Sequence, residues 1–321
     1  MGNNKEHNFI VAVKALPLAS ILIPTYARHE LLVDTLQGLL IQNYSPMEII
    51  VYDQSPDHPF EVNEFFKNHK EKIIHIRETR KSLVYAYRRC VELSHGEICL
   101  FIDDDVIISD SDFVTKHLRN YFNDHIGAVC GQVLHEDQIA PRDIDTRVYG
   151  KRGWMFVRFD ISHKIDNLPS LCGANMSFRK NLYLQVGGFD IAYGGSGFRF
   201  ETDFTFAVKK AGYQVAFDPE ASLVHRYKQQ GGADNRHLLS TDNDSHGWYV
   251  DFFANTWYFL RKWHNMRESL RIMYHIWREH VFNRVYIHCG ITFLYHRHIA
   301  FMKGIALGQK KLPRKKSTPA Q

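Results

Sequence analysis

Three consecutive carboxylates, Asp103-Asp104-Asp105, follow the apolar run Ile98-Cys99-Leu100-Phe101-Ile102. Like charges crowded at a strand end repel one another unless a cation or hydrogen-bond donors offset them, so this turn is a candidate site for a divalent ion. Mg2+ and Mn2+ take oxygens from one or two carboxylates and complete their shell with phosphate, which suits a nucleotide-diphosphate ligand. The competing reading is a solvated acidic turn, since Ser109, Asp110 and Ser111 can cap the helix that follows. Two more polar groups end apolar runs in the same way: Pro24-Thr25-Tyr26 after Ile21-Leu22-Ile23, and Asp53 after Ile49-Ile50-Val51-Tyr52. In an open α/β sheet, ligands bind outside the carboxyl ends of the strands. A hydroxyl and an aromatic plane at Thr25-Tyr26 suit a pyrimidine, and Asp53 suits a base or ribose donor, although an Asp in a turn is commonplace. Arg28 and Arg80 are candidates for phosphate, set against the ordinary case of a solvated surface arginine.

Positioning these groups requires an alternating chain. Ala19 to Ile23 reads as a strand, and Leu32, Leu36, Leu39 and Leu40 recur on one helix face. Met47 to Tyr52, Lys72 to Ile76 and Glu97 to Ile102 read as strands, with a helix from Leu83 to Leu93 between the last two. Such β-α-β units predict a mainly parallel, Rossmann-like sheet with right-handed crossovers over residues 18–124. In residues 125–240, Ile126 to Leu134 and Trp154 to Phe159 read as strands around a polar loop, and Glu201 to Ala211 as a helix stopped by Gly212. Tyr213 to Phe217 and Ser222 to Val224 read as two strands joined at Asp218-Pro219.

Residues 241–321 change texture to helical periodicity rich in aromatics and bases, ending in Lys310-Lys311-Leu312-Pro313-Arg314-Lys315-Lys316. Such an extension can lie on an anionic membrane or cover the back of the catalytic domain. No run of about 18 uncharged apolar residues exists, and Val281 to Phe301 is interrupted by Arg284 and Arg297. Residues 1–17 form an N-terminal segment without a signal-peptide pattern, so the expected location is the cytoplasm, peripheral on the inner face of the plasma membrane if the extension binds lipid. At 321 residues, 45% hydrophobic and 23% charged, the chain is long and apolar enough for one large α/β domain plus an extension. Forty Lys+Arg against 35 Asp+Glu is too even a balance for a nucleic-acid binder. The five cysteines show no C-x-x-C pairing, which supports neither a disulfide framework nor a zinc site.

Taken in order, Ser20 to Arg28, Glu48 to Asp53, Gly96 to Asp105, Gly187-Gly188-Phe189-Asp190 and Glu201-Thr202-Asp203-Phe204 resemble family 2 glycosyltransferases of the GT-A fold, over roughly Leu18 to Tyr227. The resemblance implies an inverting transferase that takes a sugar from a nucleotide-diphospho-sugar, UDP or dTDP type, to a glycan or lipid-linked acceptor of the cell surface. It implies a base contact at Asp53, a base pocket at Thr25-Tyr26, donor contacts at Asp103 and Asp104, and an Asp-x-Asp metal site for Mg2+ or Mn2+ at Asp103 and Asp105. His225 falls where family members carry a histidine near the metal, and imidazole suits Mn2+ better than Mg2+. The family's base lies in a Glu-Asp pair, but here Phe200-Glu201 stands in that place and Asp203 follows two residues later. Residues two apart do not share a helix face, which favours Glu201 as base with Asp203 bracing the helix start, the reverse remaining open. Trp154 and Gly173-Ala174-Asn175 are candidates for the acceptor side, against their ordinary roles in cores and turns.

Two rivals compete. A nucleotidyltransferase would show a glycine-rich phosphate loop after the first strand, and Pro24 to Arg28 holds no glycine. A non-catalytic scaffold of a membrane-associated glycan assembly has no need to keep Asp103, Asp105, Glu201 and His225 together.

Overall fold

The computed structural model describes residues 16–137, 141–143, 153–155, 157–226 and 246–313. The 240/241 boundary, nearly all of the 1–17 segment, most of the polar loop after His135 and the tail bases from Arg314 lie outside the described residues. The first half alternates as expected: β1 (Ala19–Thr25), α1 (His29–Leu40), β2 (Met47–Asp53), α2 (Phe60–Asn68), β3 (Ile73–Arg77), α3 (Leu83–Leu93) and β4 (Ile98–Ile102). There follow β5 (Val106–Ile107), α4 (Phe113–Leu118), β6 (Ile126–His135), β7 (Asn175–Arg179), α5 (Lys180–Gln185), α6 (Phe200–Lys210) and β8 (Gln214–His225). The chain closes with α7 (His246–Trp263), α8 (Met266–His280), α9 (Arg284–His288) and α10 (Ile291–Lys311).

One sheet of eight strands runs β3-β2-β1-β4-β7-β6-β8-β5. It is parallel from β3 to β4, where β1 pairs with both β2 and β4, but β7 enters antiparallel to β4 and β6. The parallel character therefore belongs to the first half, and the sheet as a whole is mixed. Strand alternation assigns its two faces. Ile21, Ile23, Ile49, Val51, Leu100 and Ile102 pack with Leu32 and Leu36 of α1, whereas Leu22, Ile50, Phe101, Met176 and Phe178 pack with α3, α6 and α7. Burial on both faces explains why these strands read as continuous apolar runs.

The second half departs from the periodicity. Among the described residues, Trp154 to Phe159 forms no strand: Gly153–Met155 is a short 3-10 turn. The Trp154 carbonyl accepts from Arg199 Nη1 at 2.9 Å, and the Phe159 carbonyl takes a single backbone bond from Val133 at 2.8 Å. Nor does Asp218-Pro219 divide two strands; β8 runs through it, and its pairing with β6 slips between Gly131 and Gln132. Asn175 repairs that slip. Its Nδ2 donates to the Gln132 and Ala221 carbonyls, both at 2.9 Å, while its Oδ1 lies 2.7 Å from His117 Nε2.

The C-terminal helices pack on the α/β layers, α7 at the centre of the packing. Residues 252–260 of α7 are all buried. Gly304 and Gly308 let α10 approach closely, since a Cβ at either would meet Phe253 Cβ at 2.5 Å or the Ala254 carbonyl at 2.4 Å. Among the described residues, no helix is long and apolar enough to cross a membrane.

Asn175→Ala would strand two buried carbonyls and the His117 ring together. We expect a loss of roughly 2–4 kcal/mol, seen as a lower urea midpoint; an unchanged midpoint would contradict this role.

Candidate active site

The carboxylate turn forms where β4 ends, and each of its three residues faces differently. Asp104 is buried, accepts from Thr25 Oγ1 at 2.6 Å and meets Arg28 Nη1 at 3.0 Å. Arg28 also lies 2.7 Å from Asp105 Oδ2. Thr35 of α1 ties down the backbone of the turn, donating to the Val106 carbonyl at 2.8 Å and accepting from the Val106 amide at 3.1 Å. Burial pushes the Asp104 and Asp105 carboxyls up, Arg28 partly offsetting it. Burial would lower the Arg28 guanidinium, but Asp104 and Asp105 outweigh it.

Asp103, about one-third exposed, lies 3.2 Å from His225 Nε2, which is 3.3 Å from Asp105 Oδ1. Burial alone would lower the His225 imidazole; Asp103 and Asp105 raise it instead. One ligand atom from each of Asp103, Asp105 and His225 lies within 4.8 Å of the others, and buried Asp105 Oδ1 accepts no hydrogen bond. Two oxygens and an imidazole nitrogen with an acceptor left over fit a divalent ion.

These residues open onto a cavity of about 970 Å³. Pro24, Thr25, Tyr26, Arg28, Gln54, Lys81 and Ser82 line it from the β1, β2 and α3 side; Gly173, Ser196, Phe200 and Glu201 line it from the β7 and α6 side, with Trp248 and Asp251 from α7. Glu201 receives a hydrogen bond from the Gly173 amide, and burial pushes its carboxyl up to about 7. A Cβ at Gly173 would fall 2.7 Å from the Tyr87 hydroxyl and 3.2 Å from Glu201 Oε1, so only glycine admits that approach. The same hydroxyl donates to Asp103 Oδ1 at 3.4 Å, setting Tyr87 between the two carboxylates. Ala27 (φ 54°) and Arg199 (φ 82°) are the non-glycine residues with positive φ among those described, and both flank the site. Such backbone strain persists only where the surroundings enforce it. Arg199 is held by Trp154, over whose ring its guanidinium sits at 4.7 Å, and it immediately precedes α6.

Several sequence-predicted residues lie elsewhere. Asp53 is buried outside the cavity lining: its Oδ1 accepts from the Ser55 amide at 2.8 Å, and its Oδ2 lies 3.0 Å from His75 Nε2 and 2.7 Å from His58 Nε2. Its neighbour Gln54 reaches the cavity instead. Arg28 engages the carboxylates in place of a phosphate. Arg80 stacks on Tyr85 at 3.9 Å, whereas Lys81, which the sequence did not single out, lies over Tyr26 at 4.1 Å and lines the cavity. Trp154 packs against Phe259 and Phe206, and Asn175 bridges the sheet; neither lines the acceptor side. Asp203 faces away from the cavity, its Oδ1 accepting from Trp263 Nε1 at 2.6 Å and its Oδ2 from Lys262 Nζ at 2.9 Å. Glu201 and Asp203 thus occupy opposite faces of α6.

Residues 20–187, more than half of the chain, match the family model for glycosyl transferase family 2. The chain belongs to this family. It is a glycosyltransferase, 22% identical over 218 residues to a glucosyl-dolichyl phosphate glucuronosyltransferase of Haloferax volcanii, across 64% of this chain and 68% of the relative. It is 25% identical over 226 residues to the O-antigen chain rhamnosyltransferase RfbN of Salmonella typhimurium, across 65% of this chain and 66% of that one. The fold is similar to that of the mannosyltransferase PcManGT of Pyrobaculum calidifontis, solved with GDP-Man and Mn2+, at TM-score 0.54 and 16% identity over 93% of this chain and 74% of that one. It is similar also to GalNAc-T7 solved with UDP, GalNAc and Mn2+, at TM-score 0.53 and 13% identity over 76% and 50% of the two chains. Both neighbours are GT-A glycosyltransferases, and this chain shares that fold.

The opposed faces of α6 make a discriminating prediction. Asp203→Asn should lower the unfolding midpoint, at a cost of roughly 1–3 kcal/mol, with glycosyl transfer nearly intact. Glu201→Gln should spare stability and remove turnover. The opposite pattern in paired melting and turnover measurements would assign Asp203 to the chemistry.

Proposed function

We propose that this glycosyltransferase moves a sugar from a nucleotide-diphospho-sugar to an acceptor hydroxyl by a single displacement that inverts the anomeric centre. One observation carries the reading: a cavity joins an Asp103-Asp105-His225 cluster to half-buried Glu201, whose carboxyl is pushed up to about 7. Thr25, Tyr26, Gln54 and Lys81 provide the base and phosphate side of the donor pocket, Lys81 lining the cavity with a cation while Arg28, also in the lining, is engaged by Asp104 and Asp105. Asp103, Asp105 and His225 would hold a divalent ion, and imidazole in the set favours Mn2+ over Mg2+. Bound there, the ion would neutralise charge on the departing nucleotide diphosphate.

Glu201 takes the proton of the attacking hydroxyl. Its elevated pKa makes it a better base than an exposed glutamate at neutral pH, because Brønsted efficiency is greatest when the catalytic pKa lies near the working pH. Asp203 holds α6 against α7 through Trp263 and Lys262, fixing the angle at which Glu201 enters the cavity. The two curated relatives are named for a dolichyl phosphate-linked sugar and for an O-antigen chain, which supports a glycan or lipid-linked acceptor of the cell envelope. UDP and dTDP sugars are the favoured donors; GDP sugars belong in the same panel, given the mannosyltransferase neighbour.

Nucleotide release measured across UDP-, dTDP- and GDP-sugars, with Mg2+, Mn2+ or chelator, tests the reading. One donor should be turned over with Mn2+ and not with chelator, and Asp105→Asn and Glu201→Gln should each lower the rate by about 100-fold or more. Release indifferent to chelator and to both substitutions would overturn it. Since the base acts deprotonated and burial raises Glu201 to about 7, turnover should climb as pH rises through 7 and level off above it. A flat profile between pH 6 and 8 would exclude Glu201 as the base.

A further inference from the structure

We infer that the outer face of α8, with the turn after it, docks on an anionic lipid bilayer and brings the α7 wall of the cavity to the membrane surface. Met266, Leu270 and Tyr274 stand four residues apart, 48%, 55% and 55% exposed, while Ser269, Ile272, Met273 and Ile276 fill the opposite, buried face. The stripe does not stop at the helix end. The Tyr274 ring lies 6.2 Å from that of Trp277, which stacks on half-exposed Phe282 at 5.5 Å with the planes 6° apart. Aromatic side chains with a polar edge, such as Tyr274 and Trp277, are the residues that settle at the lipid headgroup level.

Charge selects the occupant of this surface. Arg267, Arg271, Arg278 and Arg284 are exposed and form no ion pair among the described residues, against the exposed acids Glu268 and Glu279. Glu268 is itself turned toward His264 Nδ1, at 3.2 Å. An apolar stripe flanked by unpaired arginines is complementary to anionic headgroups. A second copy of the chain fits poorly, because a two-fold interface would set this arginine-rich face against itself.

The stripe also leads to the site. His280, at the end of α8, contacts the Phe252 ring at 5.0 Å, and Phe252 stacks at 5.3 Å on Trp248, which lines the cavity. A lipid-linked acceptor would reach the cavity along this wall without leaving the bilayer surface. That last step rests on the transferase reading; the docking surface stands without it.

Co-sedimentation of the full chain with phosphatidylcholine vesicles, and with vesicles containing phosphatidylglycerol, tests the docking. Binding should be at least about tenfold stronger to the anionic vesicles and weaken with salt. The paired substitutions Leu270→Glu/Tyr274→Glu and Arg267→Glu/Arg271→Glu should each reduce it about tenfold or more at an unchanged unfolding midpoint. Three results would each overturn the inference: no anionic preference, undiminished binding by both variants, or a concentration-dependent dimer lost in Leu270→Glu/Tyr274→Glu with no vesicle binding by the parent chain. Vesicle binding without nucleotide release from any donor would fault the transferase reading and leave the docking surface standing; release without vesicle binding would do the reverse.

Discussion

Three carboxylates in one turn, two of them nearly removed from water, are the constraint from which the arrangement of the site follows. Burying a carboxylate beside two others is unfavourable unless each finds a partner, and removing one member of a buried pair typically costs about 3–5 kcal/mol. Arg28, at the start of α1, supplies one guanidinium to Asp104 and Asp105 together. Thr25 comes from the end of β1, Thr35 from the next turns of α1, and His225 from the last residue of β8. Residues 25–35 and His225, distant from the turn and from each other in sequence, converge on Asp103-Asp104-Asp105. The order of strands β1-β4 and the pairing of β8 with β5 are what allow it. Asp103 alone of the three remains partly solvated, turned toward the cavity.

The second constraint is the placement of Glu201. A carboxylate with a raised pKa, drawn partly out of water, is expensive, and the surroundings hold it there: the Gly173 amide, the Tyr87 hydroxyl nearby, and a strained Arg199 clamped on Trp154 just before α6. On the other face of the same helix, Asp203 binds Trp263 and Lys262 of α7. The C-terminal helices are thus part of the cavity's architecture. They fix one face of α6 and contribute Trp248 and Asp251 to the cavity, while α8 turns its apolar and basic face outward.

Much of this was legible in the sequence, and the failures have physical causes. Strands β1, β2 and β4 are buried on both faces and so appear as uninterrupted apolar runs; α3 and α6 show their faces through helical spacing. Thr25-Tyr26, the Asp triplet, Glu201 and His225, singled out along the chain, come together at one cavity. What could not be read is which of two adjacent residues points inward. Asp53 and Gln54 differ by one position and both are buried, and only the His58 and His75 rings, brought by the turn before α2 and by β3, show that the carboxylate is the one outside the cavity. Arg80 and Lys81 pose the same ambiguity, settled by the Tyr85 and Tyr26 rings. Trp154 and Asn175 are candidates for the acceptor side on sequence, against ordinary roles in cores and turns, and the structure gives them those ordinary roles. Their true partners, Arg199 for one and His117, Gln132 and Ala221 for the other, are distant in sequence and became visible only through tertiary contact.

The most direct test of the account is a Mn2+ titration followed by electron paramagnetic resonance, with and without UDP, dTDP or GDP, on the parent chain and Asp105→Asn. The account predicts a single site whose affinity rises with one of these nucleotides and is lost in the variant. Binding that survives Asp105→Asn, or no Mn2+ bound at all in the presence of any of the nucleotides, would contradict it.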